Sequence, residues 1–424
     1  MGAKNDKAEL GAQKSSISLI ISKGKLYPRL ASGISRHDLH FGLMPQKVHI
    51  ISICICYMGN VMSSPGFVKS VVRTCLRIGK GDKVIVFAWR HMIDLAEAFA
   101  LECERAGAMA LIELGTDELY YQKALNLPLE FLRESSPFSL ALLEVATANI
   151  FISGPEDPER LKLISLDRWN AMIEADKSYY DRLLEKTLRS AQITLGYVTP
   201  QRAKTYGFDY REWKENIQAA MDVRYQGMQV LGKKIARMLE KAGEVHITTT
   251  KGTDLALKLE GRTALINDGV IDDDDIEKGA DFTALPAGHV AVVPKESSAS
   301  GIYVSDVPEA NAGLSIRDVL WKFNDGKLTS FDGGENVECV KALWKEASGD
   351  KDQIGSLTIG LNPKAKIGFV YNQIVLGTAT VSLGDNRELG GKMESSFSFH
   401  CTVTKPSIDL DGKPIMKNGK LLIL

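Results

Sequence analysis

From Ile354 to Pro406 the chain runs IGSLTIGLNPKAKIGFVYNQIVLGTATVSLGDNRELGGKMESSFSFHCTVTKP. Glycines, β-forming residues and small polar residues dominate this stretch, which must fold as tightly turned β-structure. It holds a single histidine, His400, and its acids are scattered. A hydrolytic metal site needs histidine and carboxylate ligands gathered together. The stretch therefore reads as the frame of such a site with the ligands removed.

The rest of the chain is organised around that frame. Residues 1–45 read as an irregular extension in which SSISLIISKGKLYPRL offers one strand. From Val48 to about Ile247 strands alternate with amphipathic helices. VHIISICICYMG is a strand. SPGFVKSVVRTCLRI is a helix with Ser64 as N-cap and Pro65 at its first position. HMIDLAEAFALECERAGA is a helix closed by Gly107, and MALIEL, ANIFISG and SAQITLGYV are strands. Such alternation predicts an α/β layer with a mainly parallel sheet. Tyr210 to Ala242 reads as one long helical region with a basic polar face, linking two domains. Beyond Glu244 the signals turn to β-structure, with a Lys-Gly turn in EVHITTTKGTDLALKLEG and a hairpin at Asn324-Asp325-Gly326. The helix VECVKALWKEASGD interrupts them. The fold class is thus an α/β N-terminal domain followed by a β-rich C-terminal domain, with boundaries at 1–45, 46–243 and 244–424.

Several chemistries are excluded on the residues alone. The stretch GKGDK precedes a strand, whereas a phosphate-binding glycine loop must follow one and open a helix. The run Asp272 to Asp275 lacks the alternating ligands and central glycine of an EF-hand and reads as a solvated acidic helix start. Six cysteines at irregular spacing, with no CxxC, read as reduced thiols rather than a zinc site. A net charge of −1 gives no bias toward nucleic acid or membrane. The most apolar run, Val48 to Met58, is too short to span a bilayer, and the polar start MGAKNDKAELGAQK is not a signal peptide. The expected location is cytoplasmic.

The phrases YVTPQRAKTYGFDYREW, KGTDLALKLEGR, DFTALPAGHV, SASGIYVSD, IGLNP, VLGTATVSLGDN, GGKMES and KPSIDLDGKPIMKNGKLL occur together and in order. With them the chain resembles the aminopeptidase T / aminopeptidase S family of bacterial metallo-exopeptidases over roughly residues 48–424. The resemblance implies an N-terminal α/β domain, a β-rich domain carrying two cocatalytic metals, and a homodimer with sites facing an enclosed chamber. At the family's first glutamate ligand this chain has His289, and at the second Ser356. Its first histidine ligand becomes Thr380. The family's His-x-Asp pair becomes Ser398 and His400 in ungapped register. All five ligand positions are replaced, and hydroxyls are poor divalent-metal ligands beside carboxylate and imidazole.

Two classes of function follow. The first is a catalytically degenerate relative that holds no metal and binds a peptide through His289, Ser356, Thr380, Ser398 and His400, as an accessory in a peptide-modification pathway. The alternative is an enzyme of the same fold, either a residual aminopeptidase or a one-metal oxygenase. In the latter His289 and His400 hold one divalent ion with Asp385, Glu394 or Asp306. The resemblance extends to an iron-dependent dioxygenase acting on dihydroxypyridine, which keeps the His-x-Asp pair missing here. A Ser-His-Asp triad built from Ser398 or Ser356 with His400 lacks a supporting Gly-x-Ser-x-Gly elbow. His37, His40, His49, His91 and His246 are expected in surface or core roles.

Overall fold

The computed structural model describes residues 65–152, 154–311 and 314–423. The expectations for residues 1–45, for the strand VHIISICICYMG and for Ser64 as a cap lie outside them. The helices are α1 (Gly66–Ser70, widening into a π-turn over Val71–Cys75), α2 (Ile93–Arg105), α3 (Asp117–Asn126), α4 (Leu129–Leu132), α5 (Pro137–Val145), α6 (Leu166–Glu185), α7 (Pro200–Tyr206), α8 (Tyr210–Met221), α9 (Tyr225–Lys241), α10 (Asp273–Glu277) and α11 (Val337–Glu346). Pro65 precedes α1 at its cap rather than opening it.

The strands are β1 (Lys83–Trp89), β2 (Met109–Gly115), β3 (Ala148–Ile152), β4 (Arg189–Ile193), β5 (Glu244–Thr248), β6 (Asp254–Lys258), β7 (Ala264–Asn267), β8 (Phe282–Leu285), β9 (His289–Val292), β10 (Ser300–Val304), β11 (Glu309–Asn311), β12 (Leu314–Ile316), β13 (Leu320–Asn324), β14 (Lys327–Asp332), β15 (Ile354–Gly360), β16 (Thr378–Gly384), β17 (Ser398–Thr404), β18 (Ser407–Leu410), β19 (Lys413–Lys417) and β20 (Lys420–Leu421).

The N-terminal layer is a parallel sheet in the order β2-β1-β3-β4-β8. Val84, Val86, Ile150, Ile152, Ala191 and Ile193 pack on helical residues such as Phe67 and Phe99. Its fifth strand, β8, comes from beyond residue 243, so the chain returns to this sheet after entering the second half. Such a return ties the two halves together more firmly than a linker would.

The expected long helix at 210–242 is two. Asp222 leaves helical geometry (ψ 63°) and Arg224 is extended (ψ 88°), while the intervening Val223 is buried. Tyr225 then donates its buried hydroxyl to the Met221 carbonyl at 2.7 Å, which satisfies an acceptor that α8 leaves open at its end. The acidic run is a helix start: Asp272 and Asp275 form a reciprocal capping box on α10. Asp325-Gly326 turns β13 into β14.

Two large antiparallel sheets and the short antiparallel pair β11-β12 form the second half. One is ordered β14-β13-β10-β6-β5-β18-β19-β20 and the other β17-β16-β15-β9-β7. They pack face to face: Val245, Ile247, Leu255, Leu257, Tyr303 and Trp321 meet Val290, Val292, Leu357, Ile359, Val381 and Cys401 in one core. Tyr303 donates to the Cys401 carbonyl at 2.7 Å, a bond between the sheets that offsets the desolvation of both groups. Among the described residues Cys75, Cys103 and Cys401 are buried free thiols and Cys339 is exposed. No helix among them is long and apolar enough to cross a membrane.

The IGLNP turn fixes the smaller sheet to the first half. Asn362 is fully buried and donates to the carbonyls of Ala220, at 2.8 Å, and Ala287, at 2.7 Å. Its own oxygen accepts from the backbone of Lys364 and Ala365 at 3.0 and 3.1 Å. Replacing Asn362→Ala strands two buried carbonyls and removes an acceptor from two N–H groups. We expect a loss of about 3 kcal/mol, read as a lowered urea midpoint with an unchanged slope.

Candidate functional site

Strands alternate their side chains, so the smaller sheet has two unlike faces. On β15 Leu357 and Ile359 enter the sandwich core, and Ser356 and Thr358 face the other way. On β16 Ala379, Val381 and Leu383 point inward, and Thr378, Thr380 and Ser382 outward. On β17 Phe399, Cys401 and Val403 are buried, with Ser398, His400, Thr402 and Thr404 opposite. Register then lines the outward residues up in rows. Ala291, Thr358, Thr380 and Thr402 form one row. Ser356, Ser382 and His400 form the next. His289 lies across from Gly360 on one side and Asn267 on the other, and Ser398 across from Gly384.

All five sequence-predicted residues therefore lie on one face of one sheet, in different settings. Ser356 and Thr380 are buried, and their hydroxyls are already paired. Ser356 shares a hydrogen bond with Ser382 at 2.7 Å and Thr380 with Thr402 at 2.9 Å. Ser398 is exposed, and the His400 side chain is 50% exposed. His289 is held by close packing: a Cβ on the preceding Gly288 would fall 2.7 Å from that of Asn362. Its Nδ1 is buried without a hydrogen-bond partner, and burial pushes the imidazole pKa down to about 4.

One acid lies beside His400, and it is not among the three expected. Glu309, on β11, is buried, and its Oε2 lies 3.9 Å from His400 Nε2. Its Oε1 accepts from the Thr402 N–H at 2.8 Å and its Oε2 from Asn372 Nδ2 at 3.2 Å. Burial raises the Glu309 carboxyl, opposed by His400 and by these donors. Asp385 and Glu394 are instead paired with Arg387, and Asp306 accepts from the Thr404 N–H at 2.7 Å and its hydroxyl at 2.6 Å. The period-two run of hydroxyl residues in TATVS and FSFHCTVT could have revealed Ser382 and Thr402. Nothing local to Glu309 marks it, because a carboxylate brought in from another strand leaves no sequence spacing.

The donors do not fit the two-metal centre that the family resemblance implies. His289 and His400 stand on β9 and β17, three strands apart, so their backbones are separated across the sheet by ~14 Å before any offset along it. One ion at ~2.0–2.1 Å from each imidazole would need both side chains stretched toward each other along the sheet. Among the described residues no group of three or more His, Cys, Asp or Glu side chains is gathered to hold a metal. The remaining donors are neutral hydroxyls bonded to one another. We derive no step through a metal. The other described histidines have local partners: His91 Nε2 lies 3.1 Å from the Gly196 carbonyl and His246 Nε2 2.7 Å from Asp254.

His289 gives this site a pH signature. Its folded-state pKa of about 4 lies below the ordinary value of 6.5, so the unfolded chain binds the proton first. The stability held by neutral His289 is complete above pH 6.5 and falls as pH drops toward 4, by up to about 3 kcal/mol. In His289→Gln this part of the slope should disappear. Stability measured from pH 7 to 4, with an NMR titration of the imidazole, checks it.

The fold now has known counterparts. Wild-type AmpT from Thermus thermophilus superposes with a TM-score of 0.64 at 16% identity, covering 84% of this chain and 98% of that one. The 2,5-dihydroxypyridine dioxygenase from Pseudomonas putida KT2440 superposes at 0.55, also with 16% identity, covering 84% and 96%. Identity this low speaks for the fold alone. A curated relative, the N-acetyl-gamma-glutamyl-phosphate reductase of Thermoanaerobacter sp. (strain X514), is 24% identical over 132 residues. The match takes in 28% of this chain and only 38% of that protein. The family model of the thermophilic metalloproteases matches residues 66–367, a span that includes His289 and Ser356 and ends before Thr380. Family model and fold agree, and the chain belongs to the thermophilic metalloprotease (M29) family.

Proposed function

We propose that this chain is a catalytically degenerate member of its family that binds a peptide on the hydroxyl face, as an accessory to peptide modification. The observation that carries the proposal is the pairing of Ser356 with Ser382 and of Thr380 with Thr402. By the family resemblance, Ser356 and Thr380 stand where a glutamate and a histidine would bind metal. Two cations at close range need carboxylate to offset their repulsion, and the hydroxyl pairs supply none. They do supply donors and acceptors for a backbone.

Two further features suit a peptide. The strand β17 is an edge of its sheet, and edges accept an added strand through main-chain bonds. Glu309 and Asp306 already take the N–H groups of Thr402 and Thr404, so strand addition is confined to the exposed stretch at Ser398–His400. At the other edge a pocket of about 370 Å³ is lined by Arg262, Leu265, Val293 and Leu389. Leu265 lies across from Ala291, on the same side of the sheet as the hydroxyls. That pocket has room for a side chain of the bound peptide.

The test joins metal analysis, an aminopeptidase assay and selection from a random peptide library, all on the full chain. Recovered peptides should bind without being shortened, and added zinc, cobalt or manganese should not raise turnover. Ser398→Pro removes one edge N–H and should weaken binding about tenfold. Stoichiometric metal that is lost in a His289→Ala, His400→Ala double variant, together with peptide cleavage, would overturn the proposal.

A further inference from the structure

Arg202 stands in the first turn of α7, at the end of the parallel sheet where β3 and β4 finish. Its guanidinium carbon lies 5.0 Å from the centre of the Tyr197 ring. The Tyr197 ring is itself seated on Gly154, where a Cβ would fall 2.4 Å from it. Among the described residues Nη2 reaches only the Pro155 carbonyl, at 3.4 Å. Nε is buried and has no hydrogen-bond partner. Tyr121, Tyr206 and Tyr371 surround the same group, and burial lowers its pKa.

Among the described residues no acidic side chain lies within ion-pair distance of this guanidinium, and the neighbouring acids are committed. Glu118 pairs with Arg160 at 3.1 Å and Glu159 with Lys162 at 2.7 Å. Asp117 accepts the N–H groups of Glu156 and Asp157. A partly buried cation with an unpaired N–H is costly unless an anion joins it. A planar fork of donors suits a carboxylate in particular, and tyrosine hydroxyls can donate alongside it.

The location adds a second argument. In open α/β sheets ligands bind in the crevice beyond the carboxyl ends of the strands. Tyr371 comes to this end of the sheet from the second half of the chain, beside Tyr197 and Tyr206. The next residue, Asn372, holds Glu309 beside His400. The unpaired cation and the hydroxyl face are therefore joined through two consecutive residues.

We propose that Arg202, with Tyr197, Tyr206 and Tyr371 around it, is an anion site that receives a carboxylate of the bound ligand, making the chain selective for acidic peptides. The identity of the ligand rests on the peptide-binding reading, whereas the anion site itself does not. Glutarate is the first probe, with inorganic phosphate beside it, followed by calorimetry and thermal shift on the full chain. Glutarate should raise the melting temperature, and Arg202→Gln should abolish the rise. Tyr371→Phe keeps the ring and removes one hydroxyl, so it serves as a second variant should Arg202→Gln fail to fold; it should weaken glutarate several-fold. No effect of glutarate on the native chain overturns the site, and phosphate binding as tightly as glutarate overturns the carboxylate assignment.

The peptide arm separates the two proposals. Library-selected binders should be rich in Glu and Asp, and changing their acid to its amide should cost about tenfold in affinity in the native chain but not in Arg202→Gln. Amidating the C-terminus instead shows whether a side chain or the terminal carboxylate is read. Binders indifferent to both changes overturn the anion site and leave peptide binding standing. Glutarate bound at Arg202 with no peptide recovered supports the anion site and overturns the peptide reading.

Discussion

The buried amide of Asn362 makes four hydrogen bonds, and the arrangement of both halves depends on them. It joins the carbonyl of Ala220 in α8, the carbonyl of Ala287 just before β9, and the turn that leaves β15. An amide is suited to this place because it offers two donors and an acceptor within one planar group. Gly288 lets the chain come against it, and its φ of 131° is itself one that a side chain would resist. The strand carrying His289 is thereby pressed against the end of the strand carrying Ser356. The amide reinforces the ladder that sets His289 across from Gly360.

That face is the consequence of a sheet covered differently on its two sides. The inward side supplies Val290, Leu357, Ile359, Val381 and Val403 to the sandwich, and burying each is worth about 1.5–3 kcal/mol. The fold is stabilised on that side whatever the outward residues are. The outward side has only to satisfy its polar groups, and a hydroxyl pair contributes ~1 kcal/mol where an orphaned buried hydroxyl would cost about 1–3. Serine and threonine on the outward side thus leave the scaffold intact, provided the hydroxyls find each other across the strands. Ser356 with Ser382 and Thr380 with Thr402 do so.

The sequence was most informative where local rules govern. The α/β layer, the β-rich second half, the Asp325-Gly326 hairpin and the capped start of α10 all follow from turn chemistry, caps and periodicity. The break at Asp222–Arg224 was hidden because the apolar periodicity runs on through it, and only the burial of Val223 and Tyr225 shows that the chain must turn. The return of β8 to the first sheet was hidden as well, since pairing between β4 and β8 is a matter of tertiary placement. At the site, the positions came from motif phrases and their common face from alternation. Glu309 could not be read, since it reaches His400 from a separate strand and its neighbours in sequence say nothing of Thr402.

Arg202 belongs to that same class of features. Its sequence setting, TPQRAKTYG, reads only as a short helix behind a threonine cap, and Thr199 does accept from the Arg202 N–H. The tyrosines that surround its side chain come from four separate places in the chain: α3, the turn after β4, α7 itself and the loop after β15. Such convergence is what distinguishes the group from a solvated arginine on a helix. A cation drawn in among aromatic rings gains from their faces, yet among the described residues its Nε–H is left unpaired. The residues meet one half of what the guanidinium requires and leave the other half to an anion from outside.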